Sequence, residues 1–227
     1  MGITQLKNYQ VTSVKAYKTK ETSRHEYLSV AVFDLHKRKP TNLIIERSRG
    51  EPTPNPSLSA VSQSIPVSGS FIAKDVISPT SGASVLNSSD ELVMELNFEK
   101  VVYFFEVVVV AAVFHELKKE YQLFGDNCYR FVGVIMQVLQ AEYRVQNIVE
   151  ANAGMWCGVP IYSLAGGGDS VPLVHEKFKS NVKEFVSFVP NVKYLTFTYA
   201  SWGIGGCGRK IGYAAFGGGE CTAQRTD

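Results

Sequence analysis

The sequence predicts an α+β fold in which an antiparallel β-sheet packs against helices. Three observations carry that prediction. Short β-branched and aromatic runs recur through the N-terminal half, separated by polar turns that carry proline and glycine. Two stretches near the middle have the length and apolar spacing of helices. The chain is 45% hydrophobic and 19% charged, the balance of a globular protein that can bury a core.

The elements follow in order. "YQVTSVKAYK", Tyr9 to Lys18, reads as a first strand. "EYLSVAVFD", Glu26 to Asp34, and "NLIIERS", Asn42 to Ser48, flank the polar turn "LHKRKPT" and form an antiparallel hairpin. Pro40 belongs in that turn, because it has no N–H to give a ladder. Gly50 to Ser70, with Pro52, Pro54, Pro56, Pro66 and many serines, reads as a surface loop or linker. "FIAKDVIS" and "ELVMELNF" are strands around the turn-rich "PTSGASVLNSSD". Lys100 to Leu117 carries both signals: its valines and aromatics suit a strand, while its length and the cations of "HELKK" favour a helix, the reading adopted. "GDN", Gly125 to Asn127, breaks the chain, and a second helix follows with Phe131, Val132, Ile135, Val138 and Leu139 as its core-facing stripe. Residues 1–149 then make one α+β domain, and 150–227 a C-terminal extension. Within the extension, "VPLVHEKFKSNVKEFVSFVP" suggests a helix and "NVKYLTFTYA" a strand, before a glycine-rich tail.

Bulk properties exclude several classes. The net charge is +2 and the longest basic run is "HKRK", so no nucleic-acid partner is expected. "MGITQLKNYQ" has no apolar core of a secretory signal, and Leu6 stands where myristoylation at Gly2 would want Ser or Thr. The expectation is a cytoplasmic protein with reduced thiols. "VVYFFEVVVVAAVF", Val101 to Phe114, is shorter than the about 20 residues a membrane span needs and is broken by Glu106. It reads as a buried core element, with lipid contact as the alternative. The 4 cysteines show no CxxC pair and no metal-ligand spacing with histidine, and no GxGxxG joins a strand to a helix. No metal and no cofactor is expected.

What remains is Cys128. Asp126 and Asn127 are good N-cap residues, so the helix should start at or just before the cysteine. Unpaired N–H groups in a first helical turn stabilise a thiolate and can also serve an oxyanion. A small apolar residue beside a core would look the same in sequence. A nucleophilic cysteine needs a base, normally histidine. His36 lies in the basic turn, His115 late in a helix where it faces water or caps carbonyls, and His175 on the surface of an amphipathic helix. His25 differs: it opens the strand "HEYLSVAVF", where it can project from a sheet edge toward a facing helix, or simply be exposed.

"YQLFGDNCYRFVGVIMQVL" resembles the Tyr-x-Leu-x-x-x-Asn-Cys-x-x-Phe segment of permuted papain-like proteins: the lecithin retinol acyltransferase group, the NlpC-type relatives and the PPPDE peptidases. "RHEYLSVAVFD" and "NLIIERSRG" also resemble the first hairpin of fungal proteins with a His-Glu-aromatic start and a later Asn-Cys-Tyr segment. The likeness runs from Glu21 to Arg144 and departs at Arg130, where an aromatic is usual. It implies a circularly permuted papain-like fold, with Cys128 as nucleophile, His25 as base and Asn127 as a cap or orienting group. The third group would come from the strand after the histidine strand. If Phe33 pairs near Asn42, His25 and Glu46 share a face but are offset, and a shifted register brings Ser48 or Glu46 closer. Glu46 is the third candidate; its other reading is an ion pair with Arg47 or Lys39 at the sheet edge. Two functions stay open. One is a cysteine hydrolase or acyltransferase that forms a thioester with an acyl, peptide or isopeptide substrate. The other is an inactive papain-like domain used for binding.

Overall fold

A computed structural model of the chain describes residues 7–20, 25–52, 71–80, 89–122, 127–150, 155–156, 159–160 and 170–188. The architecture is α+β. Strands β1 (Tyr9–Lys18), β2 (Glu26–Asp34), β3 (Lys39–Pro52), β4 (Phe71–Pro79) and β5 (Glu91–Tyr103) precede helix α1 (Phe104–Leu117). Then come β6 (Glu120–Tyr121), helix α2 (Cys128–Glu142), β7 (Val145–Glu150), the short β8 (Met155–Trp156) and β9 (Val159–Pro160), and helix α3 (Ser170–Phe188). Seven strands form one sheet in the order β6-β4-β3-β2-β1-β5-β7, every pair antiparallel. β8 and β9 pair separately.

Period-2 alternation builds the core. Val14 and Ala16 on β1, Leu28, Val30 and Val32 on β2, Leu43 and Ile45 on β3, and Leu96 on β5 all turn to one face and are buried. α2 lies on that face over β1, β2 and β3, and α1 lies beside it. The expected stripe of α2 is entirely buried: Phe131, Val132, Ile135, Val138 and Leu139. α3 packs outside both helices and sends Val174, Phe178 and Phe185 into the same core. The helix expected over 171–190 is thus present as α3 (Ser170–Phe188), and it shares the core of the N-terminal strands.

Four expectations are corrected. Pro40 is not in the turn but in β3, opposite Phe33. β4 pairs with β3 only from Leu43 onward, so at Pro40 the strand is an edge, where a missing N–H breaks no ladder. Gly50 to Pro52, assigned to the loop, extend β3. Gly50 sits at the irregular register between Arg49 and Pro52, and a Cβ there would lie 2.6 Å from the Ile72 carbonyl oxygen. Only glycine lets β4 approach so closely. Lys100 to Tyr103 complete β5, so the helix starts at Phe104 rather than Lys100. Glu106 fixes that start by accepting the Tyr103 backbone N–H at 2.7 Å. Finally, His115 does not face water; it is buried, as described below. The rest of the loop to Ser70, the strand at 191–200 and the glycine-rich tail lie outside the described residues. Among the described residues no helix is long and apolar enough to cross a membrane.

Candidate active site

Asn127 is the N-cap of α2. Its backbone is extended and its side chain accepts the Arg130 N–H at 3.2 Å. Cys128 is therefore the first residue of the helix, at the end where backbone N–H groups lack helical acceptors. The thiol is 4% exposed.

His25 is held from both sides by Thr19. Its N–H donates to Thr19 Oγ1 at 2.9 Å, and its carbonyl accepts the Thr19 N–H at 2.9 Å. These bonds carry the β1–β2 ladder one step past the Lys18–Glu26 pair and fix the histidine where the sheet ends. The β2–β3 register pairs Phe33 with Pro40 and Tyr27 with Glu46. Continued by one same-face step, it sets Ser48 opposite His25 and makes Glu46 the diagonal neighbour. The trial register, with Phe33 near Asn42, is thus off by one same-face step, in the direction that brings Glu46 closer. His25 Nε2 lies 3.1 Å from Glu46 Oε2, with both side chains partly exposed. The ring also stacks beside Tyr27, at 6.4 Å between centroids.

The imidazole meets Cys128 as well. Burial opposes its charge, but hydrogen bonds to the Cys128 and Glu46 side chains and the negative charge of both outweigh burial and push His25 up to about 10. Glu46 is held below the ordinary carboxylate value, chiefly by the hydrogen bond from His25, against an opposing effect of burial. His25 therefore meets both of the other residues read from the sequence, the Cys128 thiol and the Glu46 carboxylate.

A fourth residue touches the sulfur. The Tyr121 hydroxyl donates to Cys128 Sγ at 3.8 Å. Tyr121 lies in the Tyr-x-Leu segment, where no local sequence pattern marks it as part of the site. It sits on the edge strand β6, opposite Phe71 of β4.

Behind this line runs a buried charged row that sequence reading missed. Lys18, Glu26, Arg47 and Asp75 occupy core-facing positions on β1 to β4. Lys18 Nζ lies 3.8 Å from Glu26 and 4.9 Å from the Tyr129 ring centre. Arg47 donates to Asp75 at 3.0 Å, to the Glu120 carbonyl at 3.2 Å and to the Lys118 carbonyl, and its guanidinium covers Phe114 and Phe131. His115 Nδ1 lies 2.8 Å from the same Asp75 oxygen. The available signal was a polar residue breaking apolar alternation at the same end of adjacent strands: Lys18 after Ala16, Arg47 after Ile45, Asp75 after Ala73. Of the other histidines, His36 is exposed in the β2–β3 turn, and His175 bridges α3 to Glu142 of α2 at 2.7 Å. Arg130 is buried and donates to Ser170 Oγ, tying the first turn of α2 to the start of α3.

Among the described residues no group of three or more His, Cys, Asp and Glu is arranged to hold a metal ion. A cavity of about 410 Å³ lined by Gln140, Glu142, Tyr143 and Arg144 lies at the other end of α2, away from Cys128. No family model matches this chain, and no curated protein or solved structure matches it either.

Proposed function

We propose that this protein is a cysteine-dependent hydrolase or acyltransferase of permuted papain-like type that works through a thioester on Cys128. The observation that carries the reading is the single imidazole of His25, set between the Cys128 thiol and the Glu46 carboxylate. Burial works against the imidazolium, but contacts with Cys128 and Glu46 together outweigh it and raise His25 to about 10, which supports an imidazole that holds a proton between a thiol and a carboxylate.

The steps follow from that pair. The thiolate adds to the substrate carbonyl, a C–S bond forms, and the carbonyl π electrons move to oxygen. The adduct collapses, the C–O or C–N bond to the leaving group breaks, and His25 gives it a proton. His25, now neutral, takes a proton from water in hydrolysis or from an acceptor hydroxyl or amine in acyl transfer. That nucleophile displaces the thiolate. Glu46, 3.1 Å from His25 Nε2, holds the imidazole in place beside the thiol. Ester, peptide and isopeptide carbonyls all fit this chemistry.

The second reading is an inactive domain that binds partners. The burial of Cys128 favours it. A chromogenic p-nitrophenyl ester separates the two. Wild-type protein is expected to take up one acyl group on Cys128, seen by mass spectrometry, and to lose that uptake in Cys128→Ala and His25→Ala. A wild-type chain that stays unacylated at every pH tried leaves the binding reading standing.

A further inference from the structure

We infer that Arg49 is a specificity-determining residue at the mouth of this site, whose guanidinium takes a carboxylate carried on the acyl part of the substrate. The inference rests on the reading of Cys128 as nucleophile.

Alternation along β3 places the guanidinium. Ile45, Arg47 and Arg49 share one face of the strand, the face on which α2 lies. Arg47 is fully buried there against Asp75. Arg49 stands one same-face step further, toward the end of the sheet where His25 is fixed, and it is exposed. On β4 the same face runs from Asp75 through Ala73 to Phe71. The Arg49 guanidinium carbon sits 3.3 Å from the centre of the Phe71 ring. Phe71 is directly opposite Tyr121 of β6, and such pairs hold their Cβ atoms about 4.5–5.5 Å apart. The Tyr121 hydroxyl in turn lies 3.8 Å from Cys128 Sγ. The cation therefore covers a ring that neighbours the side chain touching the sulfur.

The backbone fixes this placement. The β3–β4 register is irregular between Arg49 and Pro52, and a step of this kind re-aims the side chain beside it. At Gly50 a Cβ would stand 2.6 Å from the Ile72 carbonyl oxygen, so glycine lets the two strands close next to Phe71. A guanidinium laid on a ring uses its face and keeps its N–H edges, the fork that grips the two oxygens of a carboxylate. Among the described residues no carboxylate pairs with Arg49, whereas Arg47 has Asp75 and Lys18 has Glu26. An exposed cation, held in place and given no protein anion, is suited to an anion from solution.

The sheet order says which part of the substrate brings that anion. His25, which protonates the leaving group, stands on β2, and Phe71 and Tyr121 stand on β4 and β6 beyond β3. The leaving group departs on the β2 side, so the acyl part extends toward β4 and β6, where Arg49 waits. The carboxylate takes no part in the bonds that change. It binds substrate and adduct alike, and it raises the second-order rate of acylation.

The test pairs charged and neutral esters of equal acyl length. Mono-p-nitrophenyl glutarate, adipate and suberate carry the carboxylate at three reaches; p-nitrophenyl pentanoate, hexanoate and octanoate are their neutral partners. The readout is the ratio of the second-order rates of Cys128 acylation within each pair, charged over neutral, followed by mass spectrometry of the intact chain. A general change in thiol reactivity cancels in that ratio. In wild type it is expected to reach about tenfold at the best length and to fall as salt is added. Arg49→Gln should bring it to about one, and Arg49→Glu below one. A wild-type ratio of one or less at every length overturns the role of Arg49 and leaves the nucleophile reading intact. So does a ratio that Arg49→Gln leaves unchanged. A wild-type chain that none of these esters acylates overturns both. If Arg49→Gln does not fold, Arg49→Lys replaces it, keeping the charge and losing the fork. Its ratio is then expected to fall below wild type, and an unchanged ratio counts against the fork.

Discussion

Two histidine–carboxylate pairs stand at this end of the sheet, and among the described residues one of them borders a thiol. His25–Glu46 spans 3.1 Å and His115–Asp75 spans 2.8 Å. Both join a ring nitrogen to a carboxylate from a neighbouring element, so geometry within the pair does not separate them. Their third partners do. His25 has the Cys128 thiol on its far side, and both members of its pair are partly open to water. Asp75 instead carries the Arg47 guanidinium, which is fully buried against Phe114 and Phe131. On the proposed reading, the first arrangement leaves the imidazole able to exchange a proton with the thiol and a substrate. The second spends its carboxylate on neutralising a buried cation, and its job is to hold β3, β4 and α1 together. A histidine–carboxylate pair becomes a catalytic device only when its other side faces a group that can use the proton.

The largest effect should come from removing each imidazole in turn. His25→Ala is expected to slow acylation of Cys128 by about 10²–10⁴-fold, the range for a positioned acid–base group, and, at a partly exposed pair, to cost less stability than His115→Ala. His115→Ala should do the reverse. It leaves acylation within a small factor and costs about 1–3 kcal/mol of stability, because the Asp75 carboxylate loses one of its two partners. Urea unfolding beside ester-acylation kinetics reads both. If the two variants behave alike, the contrast between the pairs is wrong.

Next in size is Asp75→Asn. The change keeps the shape and removes the charge that Arg47 faces at 3.0 Å, leaving a guanidinium buried without its counter-ion. Losing one member of a buried pair costs about 3–5 kcal/mol. Glu46→Gln, at a half-open pair, should cost less than about 1 kcal/mol. Chemical denaturation of both variants tests the ranking, and a Glu46 variant that falls further than the Asp75 variant reverses it.

The same contrast explains what the sequence could tell. β1 and β2 were legible to the residue, because period-2 alternation and flanking turn residues agreed there. The start of α2 was legible from Asn127 and the apolar stripe after it. The β5–α1 boundary was not, since a run of valine and phenylalanine satisfies a strand and a buried helix equally, and the Glu106 cap decides it. Cys128 and His25 could be singled out as chemical types at a helix start and a strand start. Glu46 required the strand register, which one chain alone sets only to within a same-face step. Tyr121, on a two-residue strand, and the row from Lys18 to Asp75 depend on cross-strand neighbours that no local pattern reports.

The smallest expected effect is the one that shows most directly what Glu46 does. In the folded protein His25 is raised from 6.5 to about 10. Its contribution to stability is thus complete below pH 6.5 and fades as pH rises through about 10. Glu46 is lowered, so its contribution is present above its unfolded value and is lost as pH falls through the folded one. The pair therefore tightens the fold across the neutral range and loosens at both ends. Glu46→Gln removes the carboxylate charge that helps hold the proton on His25, leaving the contact with Cys128 to do so alone. The His25 titration, followed by NMR of its ring carbon, should move down from about 10 yet stay above 6.5. Acylation should lose its alkaline limb at the same lower pH, because the imidazolium that protonates the leaving group vanishes earlier. A His25 titration that does not move when Glu46 loses its charge would mean that the thiol alone sets the proton, and that Glu46 orients the ring without tuning it.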